Sequence, residues 1–168
     1  MPEEPSLPLR QSRAWALAAF FLLVTSLLLD WWVIRNAIQG GPTIRLGVGP
    51  FETADTLVRG WTWVTGAMVA VVAVWLFVRV AGKSIAYEPD RWARDVKLQA
   101  GGVAVALASL WAWSKDLPTW GGRTYQVNDT AQTTVEVSTL PGLGWWCALL
   151  ALLCLVVAWR RTRAPQDS

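Results

Sequence analysis

The sequence predicts a membrane all-α fold: a four-helix transmembrane bundle with both termini in the cytoplasm and a small extracellular antiparallel β-cap from the two outer loops. Three observations predict it: long apolar runs, tryptophans at the ends of those runs, and alternating patterns between them. The 168 residues are 54% hydrophobic and only 16% charged. A soluble domain carries about 25% charged residues, so this chain lacks the polar surface for a water-exposed body.

Four segments are long enough to cross a bilayer, which takes roughly 20 apolar residues and at least about 17. They are 14–34, 61–78, 98–114 and 142–159, and the third is the least hydrophobic. The first follows two arginines, as a signal peptide would, but it has no small-residue cleavage pattern and is interpreted as a retained span. The predicted single domain covers 14–161, with cytoplasmic tails 1–13 and 162–168, outer loops 35–60 and 115–141, and inner loop 79–97.

The distribution of lysine and arginine predicts the orientation, because positive residues are retained on the cytoplasmic side. The two tails and the loop between spans two and three contain ten of these residues, whereas the other two loops contain five. Both termini are therefore expected in the cytoplasm. The composition is of a bacterial type, so we expect a multi-pass protein of the bacterial inner (plasma) membrane, with the lipid bilayer as its first partner.

The tryptophans predict where the spans end, because indole rings prefer the headgroup level of a membrane. Of the 13 tryptophans, eight fall at the predicted outer ends and form a predicted interfacial belt. These eight are Trp31, Trp32, Trp61, Trp63, Trp111, Trp113, Trp145 and Trp146. Four others, Trp15, Trp75, Trp92 and Trp159, fall at or near the inner ends.

Small residues predict which helices pack closely, since lipid gives no hydrophobic drive for helix association. Candidate packing residues are Gly66 and Ala70 in span two, and Gly101, Gly102 and Ala106 in span three. We therefore expect span three to be the most enclosed helix, with span two against it, and spans one and four, which are rich in leucine, phenylalanine and valine, to face lipid more. A contact between subunits and a permeation path are the alternative roles for these glycines.

A cytoplasmic extension is predicted for span three. Pro89 ends the preceding segment, and Asp90 is a plausible N-cap. The helix would then run from Asp90 into the membrane without a break. Arg91, Arg94 and Lys97 would lie at the anionic inner leaflet, where each contributes on the order of 1 kcal/mol.

Alternating residues in the two outer loops predict strands at 43–48, 123–127 and 133–139. Asn128 and Asp129 provide turn chemistry between the last two. Two or three strands alone are marginally stable in water, so such a sheet would need to rest on the helix ends.

The layout resembles small four-span bacterial membrane proteins with a claudin-like arrangement of four helices under an extracellular sheet. The resemblance rests on Trp31-Trp32, on Gly47-Val48-Gly49-Pro50-Phe51, and on Pro141-Gly142-x-Gly144. It departs from claudins in the first outer loop, which contains no cysteine. The loop disulfide and a junction-forming role are therefore not implied, and no functional residue is carried over.

Two sets of residues are candidates for chemistry. Asp30 is the only acid in a predicted span, and an acid inside a membrane suggests function. It is interpreted as an interfacial residue that pairs with Arg35, Arg59 or Lys115, and a cation or substrate site is the alternative. The cysteines of span four, Cys147 and Cys154, are about 10 Å apart along one helix face, which is too far for a disulfide. They are interpreted as small buried hydrophobic residues.

Several function classes find no support in the residues. The sequence has no histidine, which removes the commonest metal ligand, haem ligand and general base. No cofactor, metal, catalytic residue or nucleic-acid partner is expected. We expect a non-enzymatic scaffold, assembly module or complex subunit that acts through its outer cap or helix faces, with another membrane protein or a second copy as partner. An oligomeric small transporter or channel is the alternative.

Overall fold

The computed structural model describes residues 7–38, 43–49, 61–81, 89–113, 123–126 and 134–163. These form four helices and four strands. The helices are α1 (Leu7–Leu28), α2 (Trp61–Ala81), α3 (Pro89–Trp113) and α4 (Leu143–Arg163). The strands are β1 (Trp32–Ile38), β2 (Thr43–Val48), β3 (Arg123–Gln126) and β4 (Thr134–Pro141).

The four helices pack in a ring in which α1 contacts α2 and α4, and α3 also contacts α2 and α4. Helices α1 and α4 are antiparallel, because Ser12 contacts Ala158 at one end and Asp30 contacts Gly144 at the other. The N-terminal end of α3 lies beside that of α1, where Trp92 bonds to Ser12. Arg79, near the C-terminal end of α2, contacts Asp95 in the N-terminal part of α3, so each helix is antiparallel to the helix that precedes it.

The largest interface joins α1 and α4. It is built on alanines that are fully buried and so allow the two backbones to approach closely. These are Ala16 and Ala19 in α1 and Ala148, Ala151 and Ala158 in α4. This close pairing of the first and last helices was not predicted. The apolar windows of α1 and α4 are nevertheless each 28% buried against 33% for α2, which agrees with the expectation that spans one and four face lipid more.

Large apolar side chains cover the outside of the bundle. Val71 and Val74 are each 64% exposed, Phe21 is 59% exposed and Leu153 is 53% exposed. Three helices are long and apolar enough to cross a membrane: Leu7–Leu28, Trp63–Ala81 and Leu143–Thr162. The first nine residues of α3 include five charged ones, so its N-terminal part is too polar for the interior of a bilayer. Apolar surfaces of this kind belong against lipid or protein.

The strands form one antiparallel sheet in the order β2-β1-β4-β3. Strand β1 is central and pairs on one side with β2 and on the other with β4. Strand β3 pairs with β4. The strand predicted at 43–48 is confirmed as β2, and those at 123–127 and 133–139 correspond to β3 and β4.

Strand β1 corrects the predicted first span of 14–34. The helix begins earlier, at Leu7, and ends at Leu28, and residues from Trp32 onward are extended. Tryptophan, valine and isoleucine favour strands. Here they also gain backbone partners on both sides, which a helix end would lack.

The other helix ends lie close to the predicted ones. Helix α2 continues to Ala81 and α4 to Arg163. Helix α3 is unbroken from Pro89 to Trp113, as predicted, and proline is a residue favoured at the first helical position. Asp90 consequently lies inside the first turn, where its charge is favourable to the helix dipole.

Candidate functional site

The sheet is attached to the helices at the junction between α1 and β1. The carbonyl of Asp30 accepts a hydrogen bond from the N–H of Gly144 at 2.9 Å, and the carbonyl of Trp31 accepts one from Gly142 at 2.8 Å. The first N–H groups of a helix have no partner within it. The chain leaving α1 supplies those partners to α4, so the sheet, α1 and α4 meet at one point.

Three glycines allow this close approach. A Cβ atom on Gly47 of β2 would overlap the carboxylate of Asp30, and one on Gly142 would overlap the Asp30 carbonyl. A Cβ atom on Gly144 would overlap the Trp31 indole ring. The Asp30 carboxylate therefore lies directly over β2, at a point where only glycine leaves room.

The predicted tryptophan belt is divided between the core and the surface. Trp31 and Trp32 are buried, and the indole N–H of Trp31 donates to the carbonyl of Ser26 at 2.6 Å. Three tryptophans at this end of the bundle are about half exposed, as a membrane interface requires: Trp63, Trp111 and Trp146. Trp145 packs edge-on against Trp146 with ring centroids 5.0 Å apart. The side chains of Trp61 and Trp113 lie outside the described residues.

Two arginines lie side by side on the sheet. Arg35 of β1 and Arg45 of β2 are directly opposite one another in the antiparallel register, so their side chains are on the same face. Gly47 is two residues from Arg45 and therefore also faces this side, which places the Asp30 carboxylate there. Arg45 is exposed, whereas the Nε atom of Arg35 is buried and has no hydrogen-bond partner among the described residues.

The structure thus brings Asp30 to the same sheet face as Arg35, its predicted partner. The alternative partners, Arg59 and Lys115, lie outside the described residues. Sequence reasoning did not identify Arg45 as a site residue. The sequence did place Arg45 in a predicted strand, two residues before Gly47. Its importance becomes visible only when β1 is known to pair with that strand.

A second polar group lies inside the bundle, at the end away from the sheet. The indole N–H of Trp92 donates to the hydroxyl of Ser12 at 2.8 Å, and this hydroxyl donates to the carbonyl of Ala158 at 2.8 Å. Three helices are joined by this one hydroxyl. All three residues are at most 1% exposed.

An ion pair lies one turn further along α3. The Nε atom of Arg79 in α2 is 3.1 Å from Oδ2 of Asp95, whose side chain is 9% exposed. The contact lacks the geometry of a hydrogen bond. Gln99, four residues on, is 1% exposed, and neither atom of its amide has a hydrogen-bond partner within the described part of the chain.

These inner residues were missed because the helix predicted from Asp90 was expected to lie outside the bundle, in the inner loop of 79–97. The signal was present in the sequence. Trp92, Asp95, Val96, Gln99 and Val103 recur at the spacing of one helix face, and all five are buried.

The predicted packing residues behave differently from one another. Gly102 permits close contact between α3 and α2, because a Cβ atom there would lie 3.1 Å from Val72. Gly66 and Ala106 are buried, and Ala70 is half-buried. Gly101 is exposed with open space around its Cα, so it does not pack against another helix of this chain.

Metal-binding chemistry is sparse. Cys147 and Cys154 are free thiols and half-buried. Within the described ranges, no group of three histidine, cysteine, aspartate or glutamate side chains is placed to hold a metal ion.

The sequence matches no protein-family model and no curated protein. Function is therefore inferred from the chemistry of the surfaces described above.

Proposed function

We propose that the protein is a non-enzymatic assembly module of a bacterial plasma membrane that binds an acidic segment of another membrane protein through its sheet. The observation that carries the proposal is the pairing of Arg35 with Arg45 across β1 and β2. Like charges directly opposite each other destabilise a sheet. Such a pair is favourable once a carboxylate lies between the two guanidinium groups.

The positions of the charges on this face support an acidic partner. Of the two acids among its described residues, Asp30 lies over β2 and Glu136 is on β4, two strands away from Arg45. Arg45, on the edge strand and exposed, is therefore open to a carboxylate from outside. Arginine is suited to this role, since its planar group binds a carboxylate through two parallel hydrogen bonds.

The edges of the sheet offer a second means of attachment. Within the described residues, β2 and β3 each pair with one strand only. The free backbone groups of an edge strand can pair with an added strand of a partner. Such pairing at β2 would bring the partner next to Arg45.

The proposal includes the membrane topology. The apolar part of α3, residues 98–113, is taken as a fourth span beside the three apolar helices. The excess of lysine and arginine at the end away from the sheet supports a cytoplasmic location for both termini. The sheet then caps the outer face, in a claudin-like layout without the loop disulfide.

Labelling tests this topology. Arg45→Cys in a chain with Cys147→Ala and Cys154→Ala is expected to react with a membrane-impermeant maleimide added to intact spheroplasts. Arg161→Cys in the same background is the matched control and is expected to react only after the membrane is permeabilised. The reverse pattern would place the sheet in the cytoplasm and contradict the proposed orientation.

Partner binding is tested by native mass spectrometry of gently solubilised membranes. The wild-type chain is expected to carry a second membrane protein with an acidic outer segment, and Arg35→Glu/Arg45→Glu is expected to lose it. The control, Arg160→Glu/Arg161→Glu, changes the same charge at the other end and is expected to keep the partner. A wild-type chain that is a bare monomer, or equal loss in both double variants, would overturn the proposal.

A second candidate function is an oligomeric small transporter or channel. The observation in its favour is the burial of Asp95 and Gln99 within the bundle, since ionisable and polar groups inside membrane helices often mark a pathway. Ion flux in liposomes containing the wild-type chain, abolished by Asp95→Asn, would support it. Absence of flux through the wild-type chain over that of empty liposomes would exclude it for the ions tested.

A further inference from the structure

We propose that a cavity between α3 and α4 binds a phospholipid headgroup that carries both a phosphate and a hydrogen-bond donor, such as ethanolamine or glycerol. The cavity has a volume of about 300 Å³. It lies at the end of the bundle away from the sheet and is independent of the proposed partner-binding face. Its lining residues are Asp90, Ala93, Arg94, Lys97, Trp159 and Thr162.

The charges of the cavity match a phosphodiester. Arg94 and Lys97 are three residues apart in α3 and so are neighbours on one helix face. Both are exposed, as is Asp90, the third charged residue of the lining. The net charge of the lining is +1, and a phosphodiester with one negative charge neutralises it.

The order of these charges along α3 follows the order of groups in a phospholipid. Lys97 is nearest the apolar part of the helix, Arg94 is one turn further out, and Asp90 is one turn beyond that. A phospholipid presents its phosphate next to its acyl chains and its terminal group nearer water. Arg94 and Lys97 are therefore placed for the phosphate, and the Asp90 carboxylate for an ammonium or hydroxyl group. This order holds in either orientation of the protein in the membrane.

Trp159 and Thr162 line the α4 side of the cavity. The hydroxyl of Thr162 already donates to the carbonyl of Trp159 at 2.6 Å, so its proton is not free for a phosphate. Arg94 and Lys97 thus remain the charged donors to phosphate. Trp159 is half-buried and lies in the last turns of an apolar helix, where tryptophan marks the headgroup level.

Native mass spectrometry of the full chain in detergent tests the site. The chain is titrated with phosphatidylethanolamine, phosphatidylglycerol and phosphatidylcholine of identical acyl chains. The first two are expected to bind several-fold more tightly than phosphatidylcholine, whose trimethylammonium group donates no hydrogen bond. Arg94→Gln/Lys97→Gln is expected to weaken both by roughly tenfold, since each cation near a membrane surface has a substantial effect.

Two further variants make the result specific. Arg160→Gln/Arg161→Gln removes the same charge from the same end of the bundle but does not line the cavity, and it is expected to change binding less than about twofold. Asp90→Asn is expected to abolish the preference for phosphatidylethanolamine over phosphatidylcholine while leaving phosphatidylcholine binding unchanged.

Three outcomes would overturn the proposal. Equal weakening in the two double variants would indicate diffuse attraction in place of a site. Equal affinity for all three lipids in the wild-type chain would remove the role of Asp90. Displacement of bound lipid by inorganic phosphate at the same molar ratio would indicate a site for a free anion.

Discussion

Trp92 of α3 donates its indole N–H to the hydroxyl of Ser12 in α1 at 2.8 Å, with both side chains buried. Ser12 in turn donates to the backbone of α4. Buried indole groups need a hydrogen-bond partner. Most contacts in the bundle are apolar and have no fixed direction. These two directional hydrogen bonds therefore favour one axial register of α1, α3 and α4.

Ser12→Ala is expected to lower the free energy of unfolding by about 1–2 kcal/mol, because it removes two hydrogen bonds and leaves a buried indole N–H unpaired. Unfolding in mixed detergent micelles measures this. The control is Ser109→Ala, since among the described residues the Ser109 hydroxyl bonds within its own helix, to Val105 at 2.7 Å. Equal effects of the two substitutions would contradict a relay between helices.

The ion pair of Arg79 with Asp95 allows a second prediction. Arg79→Gln or Asp95→Asn alone leaves its partner charge in a poorly solvated position. Each is expected to cost about 1–3 kcal/mol, less than a fully buried pair would, because the Arg79 side chain is 19% exposed.

The double variant Arg79→Gln/Asp95→Asn separates the pair from its surroundings. It is expected to lose less stability than the sum of the two single variants, because neither charge is then left alone. Additive losses in the same unfolding measurement would mean that the two side chains do not stabilise each other across the 3.1 Å contact.

Hydropathy and alternation were sufficient to predict most elements of this fold, because long helices and half-buried strands have distinct periods. They failed at the first span. From Ala14 to Ile34 the sequence is almost continuously apolar, and an apolar run does not reveal where a helix gives way to a buried strand. The end at Leu28 depends on the pairing of β1 with β2 and with β4, which is distant in sequence, and local patterns do not encode that pairing.

The sites were harder to predict than the elements. Asp30 and Arg35 were identified as candidates because they interrupt an apolar region. Arg45 became relevant only through its register with Arg35, which requires the strand that the sequence did not predict. Asp95 and Gln99 were missed although both lay in the helix predicted from Asp90, because their spacing was not interpreted as one buried helix face.

Two glycine substitutions provide a third prediction with opposite signs. Gly144→Ala is expected to destabilise the protein by about 1–3 kcal/mol, because the new Cβ atom would overlap Trp31 and lie 2.7 Å from the carbonyl oxygen of Leu29. Gly101→Ala is expected to stabilise it by up to about 1 kcal/mol, since alanine favours a helix and the position is open.

The same unfolding assay measures both variants. A loss of stability on Gly101→Ala would reveal a contact at that face, and a second copy of the chain would be the natural source. In that case the loss of stability on Gly101→Ala would be smaller at lower protein concentration, because fewer copies of the chain would associate. A neutral Gly144→Ala would contradict the close packing of α4 against the α1–β1 junction.

Gln99 gives the last prediction, because its amide is 1% exposed and has no hydrogen-bond partner among the described residues. Replacing an unpaired buried amide with an apolar group of similar size removes a desolvation penalty. Gln99→Leu is therefore expected to raise the free energy of unfolding by about 1–2 kcal/mol. Gln11→Leu, at an exposed position of α1, is the control and is expected to have little effect.

The comparison of stability with flux makes this substitution informative about function. If the protein is an assembly module, Gln99→Leu gains stability and keeps its partner. If the inner polar residues form a pathway, the same variant gains stability and loses flux in liposomes, because the polar group is then retained for transport at a cost to folding. A fall in stability would mean that the amide does have a partner, and would contradict its description as unpaired.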